Sequence, residues 1–168
     1  ATYHLLAAYR DFPSVFTDEK LANGLDGKNG IPDVLDEAIW GLDWLVKMHP
    51  QPNIMFNQIA DDRDHTKMRL PGQDSVYGRG HERPVYFIDG NPQQRGKFMN
   101  NTTGTSSTAA KFVSAFGLGH QLLKEQNSQY ADLLKEKAGT AYQYAYIKPG
   151  VTQTVSVKSP YIYAEDNW

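Results

Sequence analysis

Residues 30–48, Gly30-Ile31-Pro32-Asp33-Val34-Leu35-Asp36-Glu37-Ala38-Ile39-Trp40-Gly41-Leu42-Asp43-Trp44-Leu45-Val46-Lys47-Met48, limit the fold of this chain more than any other segment. Val34, Leu35, Ala38, Ile39, Leu42, Leu45 and Val46 recur at the three-and-four spacing that lines one face of an α-helix. Such a face has to be buried against other elements. Pro32 suits a first helical turn, where its missing N–H leaves no bond unmade. Asp33, Asp36 and Glu37 put negative charge at the positive end of the helix dipole. Lys47 answers the opposite end, and Pro50 stops the helix. Trp40 and Trp44 sit on this patterned helix and are assigned to packing.

Three more helices are expected, near 1–11, 107–125 and 128–146. In the third helix of the chain the core set is Ala110, Phe112, Val113, Phe116, Leu118, Leu122 and Leu123. In the fourth it is Leu133, Leu134, Ala138, Ala141 and Ala145, with Ser128 as N-cap and Pro149-Gly150 as terminator. Between the second and third helices, residues 51–104 carry Pro52, Pro71, Pro84 and Pro92 among many glycines. A connection of that length is a functional loop region rather than an idle link, and Val85-Tyr86-Phe87-Ile88 predicts short extended structure inside it.

Composition narrows the function classes. With 40% hydrophobic and 12% aromatic residues the chain can build a core. A net charge of −2 with mixed signs offers no basic field for nucleic acid, and no apolar run is long enough to cross a bilayer. The absence of cysteine excludes disulfides, thiol catalysis and thiolate metal sites, without excluding export. No GxGxxG or Walker pattern supports dinucleotide or P-loop chemistry.

Read as letters, Asn29 to Leu45 resembles the phrase Asn-Gly-Ile-Pro-Asp-Val-Leu-Asp-Glu-Ala-x-Trp-Gly-Leu-Asp-Trp-Leu of glycoside hydrolase family 9, the inverting cellulases. The likeness continues in order along the chain. Ala1 to Phe16 is similar to the helix and Pro-x-x-Phe turn before that phrase, and Gln58 to His65 resembles the family's Gln-x-Gly-Asp-x-x-x-Asp-His loop. Thr103 to Phe112 resembles the start of the next barrel helix, and Tyr163 to Trp168 the start of a later one. The resemblance implies an all-α fold, part of an (α/α)6 barrel with long ordered loops at one end, with residues 1–168 forming one partial catalytic domain and no separate second domain. Isolated from the helices that would complete such a ring, the chain is expected to aggregate or to be partly ordered.

The same resemblance implies the site. His65 is expected to hydrogen-bond a sugar hydroxyl, with Asp64 and Asp61 orienting neighbours or contributing charge. Tyr161 and Tyr163, together with Tyr77 and Tyr86, are loop aromatics on which sugar C–H faces can stack. Glu165 and Asp166 resemble the acidic pair that holds a structural Ca²⁺ in some members, and carboxylate oxygens suit that ion. From residue type alone Asp61-Asp62-Arg63-Asp64-His65 is also an ordinary solvated turn. Lys67-Met68-Arg69 stand where many members place a tryptophan platform.

The Asp-Ala-Gly-Asp motif that carries the family's water-activating aspartates is not in this sequence, nor is the late general-acid glutamate. The expectation is therefore a portion of a larger catalytic module that holds no catalytic residue of its own. Its substrate is expected to be a β-glucan or cello-oligosaccharide and its partner the remainder of the module, in a secreted or periplasmic setting. No cofactor is required for the chemistry, and neither nucleic acid nor membrane is a partner. A non-catalytic carbohydrate-binding or scaffold protein on the same toroid is the alternative.

Overall fold

The computed structural model describes residues 1–59, 70, 85–91, 93–95 and 98–155. The described chain contains four α-helices: α1 (Thr2–Asp11), α2 (Asp33–Met48), α3 (Ser106–Leu123) and α4 (Ser128–Ala145). Five short strands accompany them: β1 (Phe56–Ile59), β2 (Val85–Phe87), β3 (Gln93–Arg95), β4 (Phe98–Thr102) and β5 (Thr152–Val155). They form one antiparallel pair, β1-β2, and one three-stranded antiparallel sheet, β3-β4-β5. The helices predicted from periodicity are all present within a residue or two of their expected ends. The chain divides into two compact units, Ala1–Pro52 with Ala109–Gln143, and Asn53–Thr108 with Tyr144–Trp168.

In the first unit, the segment before α2 is a hydrogen-bonded joint. Asp18 accepts from the backbone N–H groups of Asn29 (3.1 Å) and Gly30 (2.8 Å), and Asp33 accepts from those of Glu19 (3.0 Å) and Lys20 (2.9 Å). Asn29 donates through Nδ2 to Asp36 (2.8 Å) and accepts from Ile31 N–H (2.8 Å). Gly30 turns the chain at φ +85°, a conformation that L side chains rarely adopt. Asp33 and Asp36 thus do more than complement the dipole, since they tie the preceding loop to the first turn of α2.

The core of this unit is Leu6, Leu35, Ala38, Leu42, Phe112, Phe116, Leu123 and Leu134, all nearly or wholly excluded from solvent. Gly119 of α3 lets the helices approach, because a methyl group there would lie 2.9 Å from Leu42 Cδ1 and 3.0 Å from Leu134 Cδ1. Phe112 and Phe116 meet edge to face at 5.9 Å between centroids, and the His49 ring stands across Phe112 at 6.4 Å. His49, which the sequence reading did not single out, is fully buried. His49 Nε2 and Thr140 Oγ1 share a 2.9 Å hydrogen bond, and the Thr140 hydroxyl also lies 3.1 Å from Lys137 O. Lys137 Nζ in turn donates to the carbonyls of His49 (2.6 Å) and Pro50 (3.1 Å), supplying positive charge at the end of α2.

Three expectations change. Trp40 and Trp44 are not packed: they are 70% and 38% exposed. The reason lies in positions 41–43, which take three neighbouring helices. Thr2 of α1 abuts Gly41, the Gly119 position of α3 adjoins Leu42, and Tyr130 of α4 reaches Asp43 (2.7 Å). Successive helical residues point about 100° apart, so these three directions leave one open face, and Trp40 and Trp44 stand on it. Val34, Ile39, Leu45 and Val46 are half-buried at the edges of the packed face, and Ala110 is exposed while Ala109 and Ala115 are buried. The N-cap of α4 is Asn127, whose Oδ1 accepts from Tyr130 N–H (3.0 Å), rather than Ser128.

Candidate functional site

The six residues of the sequence-based site, Asp64, His65, Tyr161, Tyr163, Glu165 and Asp166, lie outside the described residues. So do Asp61, Tyr77 and the Lys67-Met68-Arg69 run, while Tyr86 falls in β2. The described part of the second unit supplies the stems from which both segments spring.

The acidic loop follows Ile59 in sequence, and Ile59 is the register partner of Val85 in the β1-β2 pair. Backbone pairing therefore fixes both ends of the intervening residues. Asn57 on this stem has a buried Oδ1 with no hydrogen-bond partner among the described residues, an unmet acceptor of the kind that folded proteins rarely leave in place without cause. The segment that carries Tyr161 to Asp166 follows β5, which β4 holds through pairs from Thr102↔Thr152 to Met99↔Val155.

The end of α4 ties the two stems together. Ile88, just past β2, donates its N–H to Met55 O (2.8 Å), and its carbonyl accepts from the buried Tyr144 hydroxyl. Lys148, one turn on, donates to Gly90 O and to Asn91 Oδ1 (3.3 Å). Burial pushes the Tyr144 phenol above its ordinary range, and the charge of Asp89 adds to the shift, so Tyr144 stays a donor at neutral pH.

The same helix end also holds the start of α3. Thr105 Oγ1 donates to Tyr144 O (2.9 Å), Ser106 Oγ to Ala145 O (2.6 Å), and Thr105 N–H to Lys148 O (2.8 Å). Thr152 at the head of β5 donates its N–H to Ser107 Oγ (2.9 Å) and its hydroxyl to Gly104 O (3.0 Å). A side chain at Gly104 would collide with the backbone of Gly150. The small polar run Thr103-Gly104-Thr105-Ser106-Ser107 is thus a hydrogen-bonded seam joining α3, α4 and β5. Sequence reading missed Tyr144, next to last in α4, and Lys148, three residues beyond its end.

Among the described residues no group of three or more His, Cys, Asp or Glu could hold a metal ion.

Comparison with known proteins accounts for this arrangement. The family model for glycosyl hydrolase family 9 matches residues 1–168. Endoglucanase 15 of Arabidopsis thaliana is 28% identical over 148 residues, covering 83% of this chain and 27% of the relative. Endoglucanase 1 of Oryza sativa subsp. japonica is 32% identical over 109 residues, covering 61% of this chain and 16% of the relative. The crystal structure of a metagenome-derived glycoside hydrolase family 9 endoglucanase superposes with a TM-score of 0.59 at 23% identity, over 89% of this chain and 23% of that one. The chain therefore spans about a quarter or less of the length of these relatives. The fold is that of part of such a module, and the (α/α)6 class expected from the sequence stands, with short strands among its loops. A match that runs from the first residue to the last decides the assignment: this chain belongs to glycosyl hydrolase family 9.

Proposed function

We propose that the chain is a portion of an inverting β-1,4-glucan hydrolase of the endoglucanase type, acting on cellulose or cello-oligosaccharides together with the remainder of the same catalytic module. The observation that carries this reading is the family match over all 168 residues. In inverting hydrolysis one carboxylate activates a water while a second carboxylic acid protonates the leaving oxygen, with about 6.5–9.5 Å between them. Those two groups are assigned to the Asp-Ala-Gly-Asp motif and the late glutamate, neither of which is in this sequence. This portion instead contributes substrate contacts. His65 hydrogen-bonds a sugar hydroxyl with Asp64 beside it, and Tyr161 and Tyr163 offer stacking surfaces. Glu165 and Asp166 supply carboxylate oxygens for a structural Ca²⁺. A polymeric glucan cannot pass a membrane intact, which supports a secreted or periplasmic enzyme. No described helix is long and apolar enough to cross a membrane.

The test is an assay on soluble cellulose and a chromogenic cellobioside. A protein carrying this chain together with both motifs is expected to hydrolyse them and to release product of inverted anomeric configuration, visible by NMR. The 168-residue chain alone is expected to give no turnover, because losing the acid and base groups costs orders of magnitude. Turnover by the chain alone, or product of retained configuration, overturns the reading.

A further inference from the structure

In the first unit, the loop before α2 and the opening turns of that helix line an open cavity of about 660 Å³. That volume is within the range of small-molecule sites. Much of its polar wall is committed to the fold. Asp33 accepts two backbone N–H groups, Asp36 accepts from Asn29, and Lys20 is paired with Asp26. Three groups that line it are uncommitted among the described residues. They are the Trp40 indole, 70% exposed, the Glu37 carboxylate, and the side-chain NH₂ of Asn23, whose Oδ1 alone is used, by Leu25 N–H.

A flat apolar ring flanked by one acceptor and one donor is the chemistry that recognises a neutral pyranose. The C–H face of the sugar lies on the indole, while its hydroxyls donate to the carboxylate and accept from the amide. The wall argues against other ligands. Three carboxylates, Asp33, Asp36 and Glu37, face one ammonium, Lys20, which disfavours phosphate and carboxylate ligands. A metal is disfavoured too, because no described group of three or more ligating side chains is arranged to hold one. None of the lining residues belongs to the acidic loop.

We propose that this cavity is a glucan-binding site in which Trp40 stacks on a glucosyl unit while Glu37 and Asn23 hold its hydroxyls. The identity of the sugar rests on the endoglucanase reading, and the site itself rests on the cavity and its three uncommitted groups. The experiment is affinity electrophoresis of the full-length protein through gels containing barley β-glucan, with dextran gels as control. Wild type is expected to be retarded by β-glucan and not by dextran. Trp40→Ala should weaken the binding about tenfold and Glu37→Ala should weaken it in the same direction. Both should leave the thermal midpoint and the rate on a chromogenic cellobioside unchanged, since neither side chain is in the core. Equal retardation of wild type and both variants overturns the proposal, as does equal retardation in dextran. A Trp40→Cys thiol that resists maleimide in the folded full-length protein overturns it as well, because protein would then already fill the cavity. Failure of the wild type to hydrolyse β-glucan would sink the endoglucanase reading and leave the comparison of retardation to judge the site.

Discussion

Tyr130 shows how one side chain couples packing to ionisation. Its hydroxyl donates to Asp43 at 2.7 Å, and burial, reinforced by that bond and by the carboxylate charge, pushes its pKa far above the ordinary phenol value of 10.0. The raised value means that the folded state holds the proton more tightly than the unfolded state does. The resulting stabilisation is whole below about pH 10 and is lost as the pH rises from there toward the folded pKa. Tyr130→Phe is expected to cost about 1 kcal/mol at neutral pH, a figure kept low because the group is only half buried. Urea unfolding should show the gap between wild type and variant closing as the pH is taken above about 10. His65 belongs to the same scale. On the proposed glucanase reading, His65→Ala in the full-length protein is expected to remove one or two hydrogen bonds to sugar hydroxyls, each worth roughly 0.5–1.5 kcal/mol net. If those bonds strengthen in the transition state, kcat/KM falls about ten- to a few hundred-fold with the thermal midpoint preserved. Unchanged kinetics would return the residue to an ordinary turn.

At the scale of elements, two glycines respond differently to the same substitution. Gly139 lies on an exposed face of α4 with nothing within 4 Å of a built methyl group, so Gly139→Ala should stabilise the protein by about 0.5–1 kcal/mol through helix propensity. Gly119→Ala should gain less or lose stability, because Leu42 and Leu134 must move to admit the methyl group. Thermal denaturation of the two variants compares them directly. The helices themselves were legible because periodicity marks all four, with Pro32 and Lys47 bounding α2 and Pro149-Gly150 following α4. The orientation of α2 was legible only in part. Its pattern marks a buried face, but the three helices that settle on Gly41, Leu42 and Asp43 decide that Trp40 and Trp44 face outward. Periodicity cannot report that choice, because large aromatic residues satisfy the same spacing whether or not a neighbour arrives. Asn127 and Ser128 are both good caps, and only the 3.0 Å bond to Tyr130 N–H separates them.

For the whole molecule, the family was readable from the order of its phrases, and the match across residues 1–168 shows it. The supports of the candidate site were far less readable. Tyr144, Lys148 and the Thr103 to Ser107 seam act through contacts with residues some forty to sixty positions away, such as Ile88 and Gly90, and no local pattern announces a partner at that distance. The pairing of Ile59 with Val85 has a practical meaning for anyone remodelling this protein. It is a natural splice junction. Because the two ends are held by the ladder and the cost of closing a loop grows only about 0.6 kcal/mol per doubling of its length, residues 60–84 can be exchanged as a cassette. Variants can therefore differ in that segment while keeping the β1-β2 pair that frames it.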